Sequence, residues 1–155
     1  MKTNAVRIVE EAGIAHRLAA YDVGESDLSA ETVAKKVGLP NEQVLKTLVV
    51  RGDKTGILMA MIAAGTELDL KAVAAASSNK HCELLALKDV LPTTGYIRGG
   101  VSPLGAKKRF PVLVDETAQL FDEVAFSAGQ RGLQLIMAPD DLMSLTAATY
   151  ADIQR

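Results

Sequence analysis

The chain has 155 residues, of which 48% are hydrophobic and 23% are charged, and its formal net charge is −2. This length predicts one domain spanning 1–155, and the composition is that of a folded rather than a disordered chain. The slightly negative charge argues against tight, sequence-independent binding of nucleic acid over a broad basic surface, although one end of a nucleic acid could still be held locally.

Cysteine and histidine are rare in this chain. Cys82 is the only cysteine, and His16 and His81 are the only histidines. An intramolecular disulfide and a thiolate metal cluster are therefore excluded, and the two histidines form no metal-binding motif, so we expect no metal and no cofactor. The N-terminus lacks a hydrophobic signal core, and no run approaches the ~18 apolar residues of a membrane span. We expect a cytoplasmic protein.

The first part of the chain predicts short helices, a short strand and a β-hairpin. Residues with capping side chains precede apolar stripes of helical period, and glycines follow them. The turn sequence RGDKTG separates two apolar runs, which predicts a hairpin. The predicted elements are a helix from Thr3 to Gly13, a strand over 16–21, a helix from Ser29 to Gly38, and strands beginning at Leu45 and Gly56.

The second part predicts two helices, three short strands and a last helix. Asp69 to Ala76 is the first helix, and Glu83 to Leu91 is the second, stopped by Pro92. PVLVDE, EVAFSAG and LQLIMA are the strands, and Pro139 opens the last helix, PDDLMSLTAATY. Helices and strands do not alternate regularly, so the pattern does not favour a doubly wound parallel sheet. It predicts an α/β fold of the α+β type, with a curved mixed or partly antiparallel sheet flanked by helices.

Lys46 is unusual because it lies at the head of an apolar strand. Alternate side chains of a strand share a face, which places Lys46 on the more apolar of the two faces. That face also carries Val44, Leu48 and Val50. Since burying an unpaired ammonium is costly, we expect Lys46 to reach solvent, to meet an anion, or to line a pocket.

Two glycine-bearing loops are further candidates. Gly99–Gly105 has two glycines before a Ser-Pro turn, which would let backbone N–H groups approach a ligand, although a plain turn fits equally well. Ser127–Gly132 is a second glycine loop with a polar, cationic middle. The basic run Lys107–Arg109 could meet phosphates together with Arg98 and Lys35–Lys36, but such a run is usually a solvated loop.

Other polar groups have simpler explanations. The segment GDKTG lacks the glycine spacing of a phosphate-binding loop and predicts a hairpin turn. Cys82 is typical of a small buried side chain, because no residue is placed to orient His81 as its base. Asp140 and Asp141 suit the first turn of the last helix rather than a catalytic carboxylate pair.

Three segments together resemble a known family. LKTLVV around Lys46, TGYIRGGVSPLGAKKRFPVLVDE, and SAGQRGLQL followed by the terminal helix resemble the YbaK/EbsC group of aminoacyl-tRNA deacylases. The likeness runs in order over essentially the whole chain. It is closest to the YbaK-type Cys-tRNA(Pro) deacylases, and the chain is also similar to the editing domain inserted in bacterial prolyl-tRNA synthetase. The resemblance implies a YbaK-like fold with a central pocket, in which the ester joining a wrong amino acid to the tRNA 3′ end is hydrolysed.

The resemblance also implies roles for individual residues. Lys46 matches the essential lysine of the family, and a cation there suits a terminal phosphate or ribose contact. Where relatives often carry an acid after Arg-Gly-Leu, this chain has Gln134, which bears on recognition of the substrate's amino group. The implied substrate-binding residues are Tyr21, Thr47, Gly99, Gly100, Ser102 and Gln134.

The implied reaction needs no catalytic triad and no metal. In this family the substrate's own cysteine thiol attacks the carbonyl, and the protein supplies proximity and electrostatics. Two alternatives stay open: a deacylase that removes alanine or another small amino acid with water, and a non-catalytic module that binds aminoacyl-tRNA or a nucleotide. The resemblance further implies prolyl-tRNA synthetase as a transient partner that selects the tRNA.

Overall fold

The computed structural model describes residues 2–24 and 27–155, which form five α-helices and eight strands. Two short 3-10 segments, Asn41–Gln43 and Glu116–Leu120, connect some of them. The elements in chain order are α1 (Asn4–Glu11), β1 (Arg17–Ala20), α2 (Ala30–Val37), β2 (Leu45–Gly52), β3 (Gly56–Ala63), α3 (Leu70–Ala76), β4 (Cys82–Leu84), α4 (Leu87–Thr94), β5 (Val112–Asp115), β6 (Val124–Ser127), β7 (Leu133–Met137), α5 (Pro139–Thr146) and β8 (Thr149–Ala151).

The strands form two sheets. One has three antiparallel strands in the order β1-β7-β6, and the other has five strands in the order β4-β2-β3-β5-β8. In the larger sheet β4, β2 and β3 are antiparallel, whereas β5 and β8 run parallel to β3. The sheets meet where Val44 forms a parallel bridge with Ala125. The predicted mixed α+β fold is confirmed, with two sheets in place of the single one expected.

Local sequence signals account for most helix boundaries. Thr3 Oγ1 accepts a hydrogen bond from Val6 N (3.1 Å) at the start of α1. Ser29 Oγ does the same for α2, which ends at Gly38 in the left-handed conformation. Asp69 Oδ1 accepts from the third residue of its helix and begins α3. These boundaries, and the hairpin of β2 with β3, confirm the predictions.

The predicted helix over 83–91 is wrong at both ends. Glu83 and Leu84 pair with β2 and form an edge strand, a distant contact that helical periodicity does not reveal. Helix α4 then continues through Pro92 to Thr94. A proline here removes only one hydrogen bond from a helix of two turns, and Gly95 ends it. Tyr150, which was expected in the last helix, lies in β8.

Both faces of the five-stranded sheet are covered. One face packs against α1, α4, α5 and the three-stranded sheet, and its largest fully buried side chain is Phe126. The other face packs against α3, with Ile62 and Ile153 among its fully buried members. A smaller cluster around Ala34 joins α2 to the three-stranded sheet. Within residues 2–24 and 27–155, every helix is too short or too polar to cross a membrane.

Candidate active site

A cavity of about 480 Å³ lies at the junction of the two sheets. The strand β2 forms its floor, the start of α2 and the 98–101 loop form walls, and residues of β6 and β7 close one side. The lining residues are Leu28, Ser29, Ala30, Glu31, Val33, residues 44–49, Leu84, Leu85, Leu87, Val90, Arg98, Gly99, Val101, Ser127 and Gln134.

Lys46 lines this cavity and is half-buried. Its Nζ donates a hydrogen bond to the carbonyl oxygen of Thr66 at 2.7 Å, in the turn that follows β3. Among the residues the structure describes, no carboxylate pairs with Lys46. An ammonium has three N–H donors, so two remain for a ligand. Of the three outcomes expected from the sequence, the side chain therefore lines a pocket.

Two polar side chains of the cavity have buried atoms without partners. Thr47 Oγ1, on β2, makes no hydrogen bond in the described part of the chain. Gln134 is 4% exposed, and its Oε1 is also unpaired. Leaving such atoms buried and unpaired costs about 1–3 kcal/mol each, which a polar ligand would recover if it met them after a rotation of the side chain. The cavity is therefore suited to a ligand that carries hydrogen-bonding groups.

Of the glycine pair, Gly99 lines the cavity and Gly100 does not. Gly99 has φ of +86°, whereas Gly100 is buried behind it. The N–H of Gly100 donates to Ile97 O at 2.9 Å, so it closes a turn and is not free for a ligand. A Cβ at Gly100 would lie 3.2 Å from the backbone of Gln130. Close packing of this loop against the 127–132 loop accounts for the second glycine.

Tyr21 and Ser102 lie outside the main cavity. Tyr21 lines a cavity of about 10 Å³ that shares Leu28, Val33 and Gly99 with the larger one, so it is adjacent to the rim. Ser102 is fully buried, and its Oγ accepts a hydrogen bond from Leu104 N at 3.3 Å. Its environment is that of a turn residue.

The cationic residues separate into two groups. Arg98 lines the main cavity, and Lys36 lines the smaller one beside Arg131. Lys107 and Arg109 instead donate to backbone carbonyl groups at Pro92 and Leu145, and neither lines a cavity. The basic run therefore does not extend the site, whereas Arg98 does belong to it.

Sequence reasoning missed one carboxylate and an apolar border. Glu31 lines the cavity, although in the sequence it resembles an ordinary acid in a first helical turn. Leu84 and Leu87 also line it, and these residues are 52% and 60% exposed. The residue classes alone could not place these three together, because α2 and the β4–α4 segment meet only in the fold.

The start of α2 predicts a pH response. Asp27 accepts hydrogen bonds from Thr32 Oγ1 (2.5 Å) and Ser29 N (2.9 Å), and these bonds, the first foremost, lower its pKa from 3.8 to about 2. Stabilisation by a carboxylate with a lowered pKa is complete above 3.8 and is lost as pH falls towards 2. We expect the Asp27 carboxyl carbon to titrate near pH 2 by NMR, and Thr32→Val to raise that midpoint towards 3.8. A midpoint near 3.8 in the unmodified protein would contradict the geometry.

Comparisons with known proteins agree with one another. Residues 25–145 match the family model described as an aminoacyl-tRNA editing domain. "Putative Cys-tRNA(Pro)/Cys-tRNA(Cys) deacylase EbsC" of Enterococcus faecalis (strain ATCC 700802 / V583) is 47% identical over 152 residues, which cover 98% of this chain and 93% of that protein. "Multifunctional Ser/Thr-tRNA deacylase ProXp-y" of Escherichia coli (strain K12) is 22% identical, covering 97% of this chain and 90% of that protein.

One solved structure bears on the same point. It is described as a "putative trans-editing enzyme for prolyl tRNA synthetase", and its superposition gives a TM-score of 0.84 with 25% identity. The match covers 100% of this chain and 99% of that chain. The likeness therefore extends over the whole arrangement of strands and helices that forms the cavity.

Proposed function

The chain belongs to the family of aminoacyl-tRNA editing domains, and we propose that it is an aminoacyl-tRNA deacylase whose preferred substrate is Cys-tRNA(Pro). The observation that carries the proposal is the chemistry of the cavity. It joins a cation with two free donors, Lys46, to the unpaired buried atoms of Thr47 and Gln134. An aminoacylated tRNA end offers matching groups, namely phosphate and hydroxyl oxygens and an α-ammonium.

The reaction we propose uses the substrate's own nucleophile. The cysteine sulfur attacks the ester carbonyl carbon, the bond from that carbon to the ribose oxygen breaks, and the oxygen leaves with the thiol proton as a tRNA hydroxyl. The products are a thiolactone of cysteine, which water opens to the free amino acid, and the uncharged tRNA. The protein contributes a fixed geometry and charge stabilisation by Lys46 at the terminal phosphate or ribose.

The polar side chains of the cavity bind the aminoacyl group in this proposal. Gln134 Oε1 accepts a hydrogen bond from the α-ammonium, and Thr47 Oγ1 bonds to the ester region. A neutral amide in place of an acid weakens attraction to the ammonium, and Glu31 supplies a carboxylate elsewhere in the lining. Gly99 keeps that wall of the cavity free of a side chain, and Tyr21 borders the approach.

A second candidate substrate class lacks the thiol. Alanine and serine also carry the α-ammonium that the unpaired Gln134 Oε1 would bind, and a relative is named as a Ser/Thr-tRNA deacylase. Neither side chain can repeat the thiol attack with the same ease, so a water molecule would have to attack the ester. The two mechanisms therefore predict different dependence on the substrate side chain.

Ester loss from separately charged tRNA(Pro) tests the proposal. We expect the protein at catalytic concentration to release cysteine at least ~10²-fold faster than serine, alanine or proline, because an intramolecular nucleophile has a high effective concentration. Comparable release of cysteine and serine would replace thiol attack with water attack. Binding of all four without turnover would contradict deacylation.

The selection of tRNA is a separate part of the proposal. The chain has a net charge of −2 and a site that fits only the end of a tRNA, so it has little surface with which to read the rest. We assign that selection to prolyl-tRNA synthetase in a transient complex in the cytoplasm, with the whole chain, 1–155, acting as one editing domain.

A further inference from the structure

Lys46 is held from outside its own strand. Its ammonium contacts the Thr66 carbonyl oxygen at 2.7 Å. Thr66 belongs to a tight turn, because both its N–H (3.2 Å) and its Oγ1 (2.6 Å) donate to Ala63 O at the end of β3. A lysine side chain has four rotatable bonds, so the position of this carbonyl determines where the ammonium rests. The turn over 63–66 is thus part of the support of the cavity.

The last residues of the chain hold that turn on both sides. Gln154 Oε1 accepts a hydrogen bond from Ala63 N at 3.0 Å, just before the turn. Just after it, Glu67 N donates to Arg155 O (3.0 Å) and Arg155 N donates to Glu67 O (2.9 Å). Asp69 N then donates to Ile153 O at 2.7 Å. The segment 153–155 therefore clamps the turn.

The clamp is itself fixed by a buried carboxylate. Asp115 is 1% exposed, and its Oδ1 accepts from Ile153 N (3.0 Å) and Gln154 N (3.1 Å). Its Oδ2 accepts from Thr117 N (3.0 Å) and Thr117 Oγ1 (2.6 Å). Thr117 Oγ1 in turn accepts from Gln154 Nε2 at 3.2 Å. The Gln154 side chain is thereby held at both of its polar ends.

We propose that Gln154 is a positioning residue for Lys46. The connection runs from Gln154 Oε1 to Ala63 N, across the 63–66 turn, and from the Thr66 carbonyl to the Lys46 ammonium. Gln154 does not line the cavity, so it acts on the reaction only through this connection. This proposal rests on the proposed function, which gives Lys46 its role in the reaction. It makes Gln154, which is distant from Lys46 in sequence, a determinant of the rate of deacylation.

The test replaces Gln154 with methionine, which keeps the length of the side chain but removes both polar atoms. We expect the single-turnover rate of Cys-tRNA(Pro) deacylation to fall about ten-fold, since small misplacements of a reacting geometry cost up to ~10²-fold. Gln154→Glu keeps an acceptor for Ala63 N but replaces the Nε2 donor to Thr117 Oγ1 with a carboxylate oxygen, so it is expected to restore the rate only in part. Arg155→Gln removes an exposed 3.7 Å ion pair but leaves the backbone bonds, and is expected to change nothing.

A double-mutant cycle separates positioning from general damage. In a Lys46→Ala background, Gln154→Met should cause no additional loss, because the group on which it acts is gone. Equal ten-fold losses in both backgrounds would overturn the proposal and indicate a structural role. An unchanged rate in the Gln154→Met single variant would also overturn it.

A measurement independent of activity keeps the two proposals distinguishable. The ¹⁵N-detected ammonium signal of Lys46, identified by its loss in Lys46→Ala, should broaden in Gln154→Met through faster exchange with water. If the wild-type protein deacylates nothing, the proposed function fails while this signal still decides the positioning claim. An identical signal in the wild type and in Gln154→Met refutes the claim whatever the activity.

Discussion

Replacing Lys46 with alanine is expected to lower the rate of cysteine release from Cys-tRNA(Pro) by about 10³-fold, since loss of one preorganised donor at a developing charge costs ~10²–10³-fold. Strand β2 forms the floor of the cavity. Among the described residues that line this floor, Lys46 is the one that carries a positively charged donor. Its removal leaves the Thr66 carbonyl unpaired, which costs about 1 kcal/mol of stability at most if water enters. The fold should therefore persist.

The matched control for this variant is Lys54→Ala. Lys54 lies in the turn of the same hairpin, is exposed, and lines neither cavity. We expect it to retain wild-type single-turnover rates. Circular dichroism and the urea midpoint should be close to wild type for both variants. Wild-type turnover by Lys46→Ala would remove Lys46 from the reaction and with it the proposed mechanism.

Replacing Asp115 with asparagine is expected to lower the free energy of unfolding by about 2–4 kcal/mol, the range for breaking a buried network around a charged group. The two carboxylate oxygens accept four hydrogen bonds, and every partner atom is a donor. An amide keeps one oxygen and turns an NH₂ group either towards the N–H groups of Ile153 and Gln154 or towards the N–H and hydroxyl of Thr117, and the hydroxyl can accept. In either orientation at least one backbone N–H loses its acceptor.

Urea denaturation measures this effect, and Asp152→Asn is its control. Asp152 lies in the neighbouring C-terminal segment but is exposed, so its substitution should change stability by less than about 0.5 kcal/mol. A loss of similar size in both variants would mean that negative charge, rather than the hydrogen bonds of Asp115, is what matters. An Asp115→Asn variant as stable as wild type would contradict the network.

The sequence predicts well those features whose cause is local. Thr3, Ser29 and Asp69 cap helices because each side chain reaches a backbone N–H a few residues away. The face of β2 that carries Lys46 follows from the two-residue period of a strand. Gly38 ends α2 because its left-handed conformation is strained for other residues.

Distant contacts account for what the sequence does not predict. The partner of Lys46 is a backbone carbonyl, and a carbonyl at Thr66 has no signature in the residue types. Leu84 lies in a strand rather than a helix because it pairs with Val50 of β2. Tyr150 lies in a strand because it pairs with Val114 of β5. In each case the contact depends on register and on the path of the chain.

The candidate site shows the same division. Lys46 could be singled out from its strand, whereas Thr47 and Gln134 entered through family resemblance, and only the fold reveals that each has a buried atom without a partner. The N–H of Gly100, expected to face a ligand, is used within its own turn. A glycine pattern predicts that the backbone can approach another group closely, but it does not tell whether that group is a ligand or another loop of the protein.

The pairing of β1 with β7 has a consequence for how the protein is made. Arg17 pairs with Ile136, so β1 leaves the ribosome well before its partner strand β7 has been made. At a synthesis rate of about 5–20 residues per second, the wait is roughly 6–24 s. Gln134 is supplied by that late strand and Ser127 by its neighbour β6. Nascent chains therefore have no closed cavity until β6 and β7 have been made, and deacylase activity should appear only after that point.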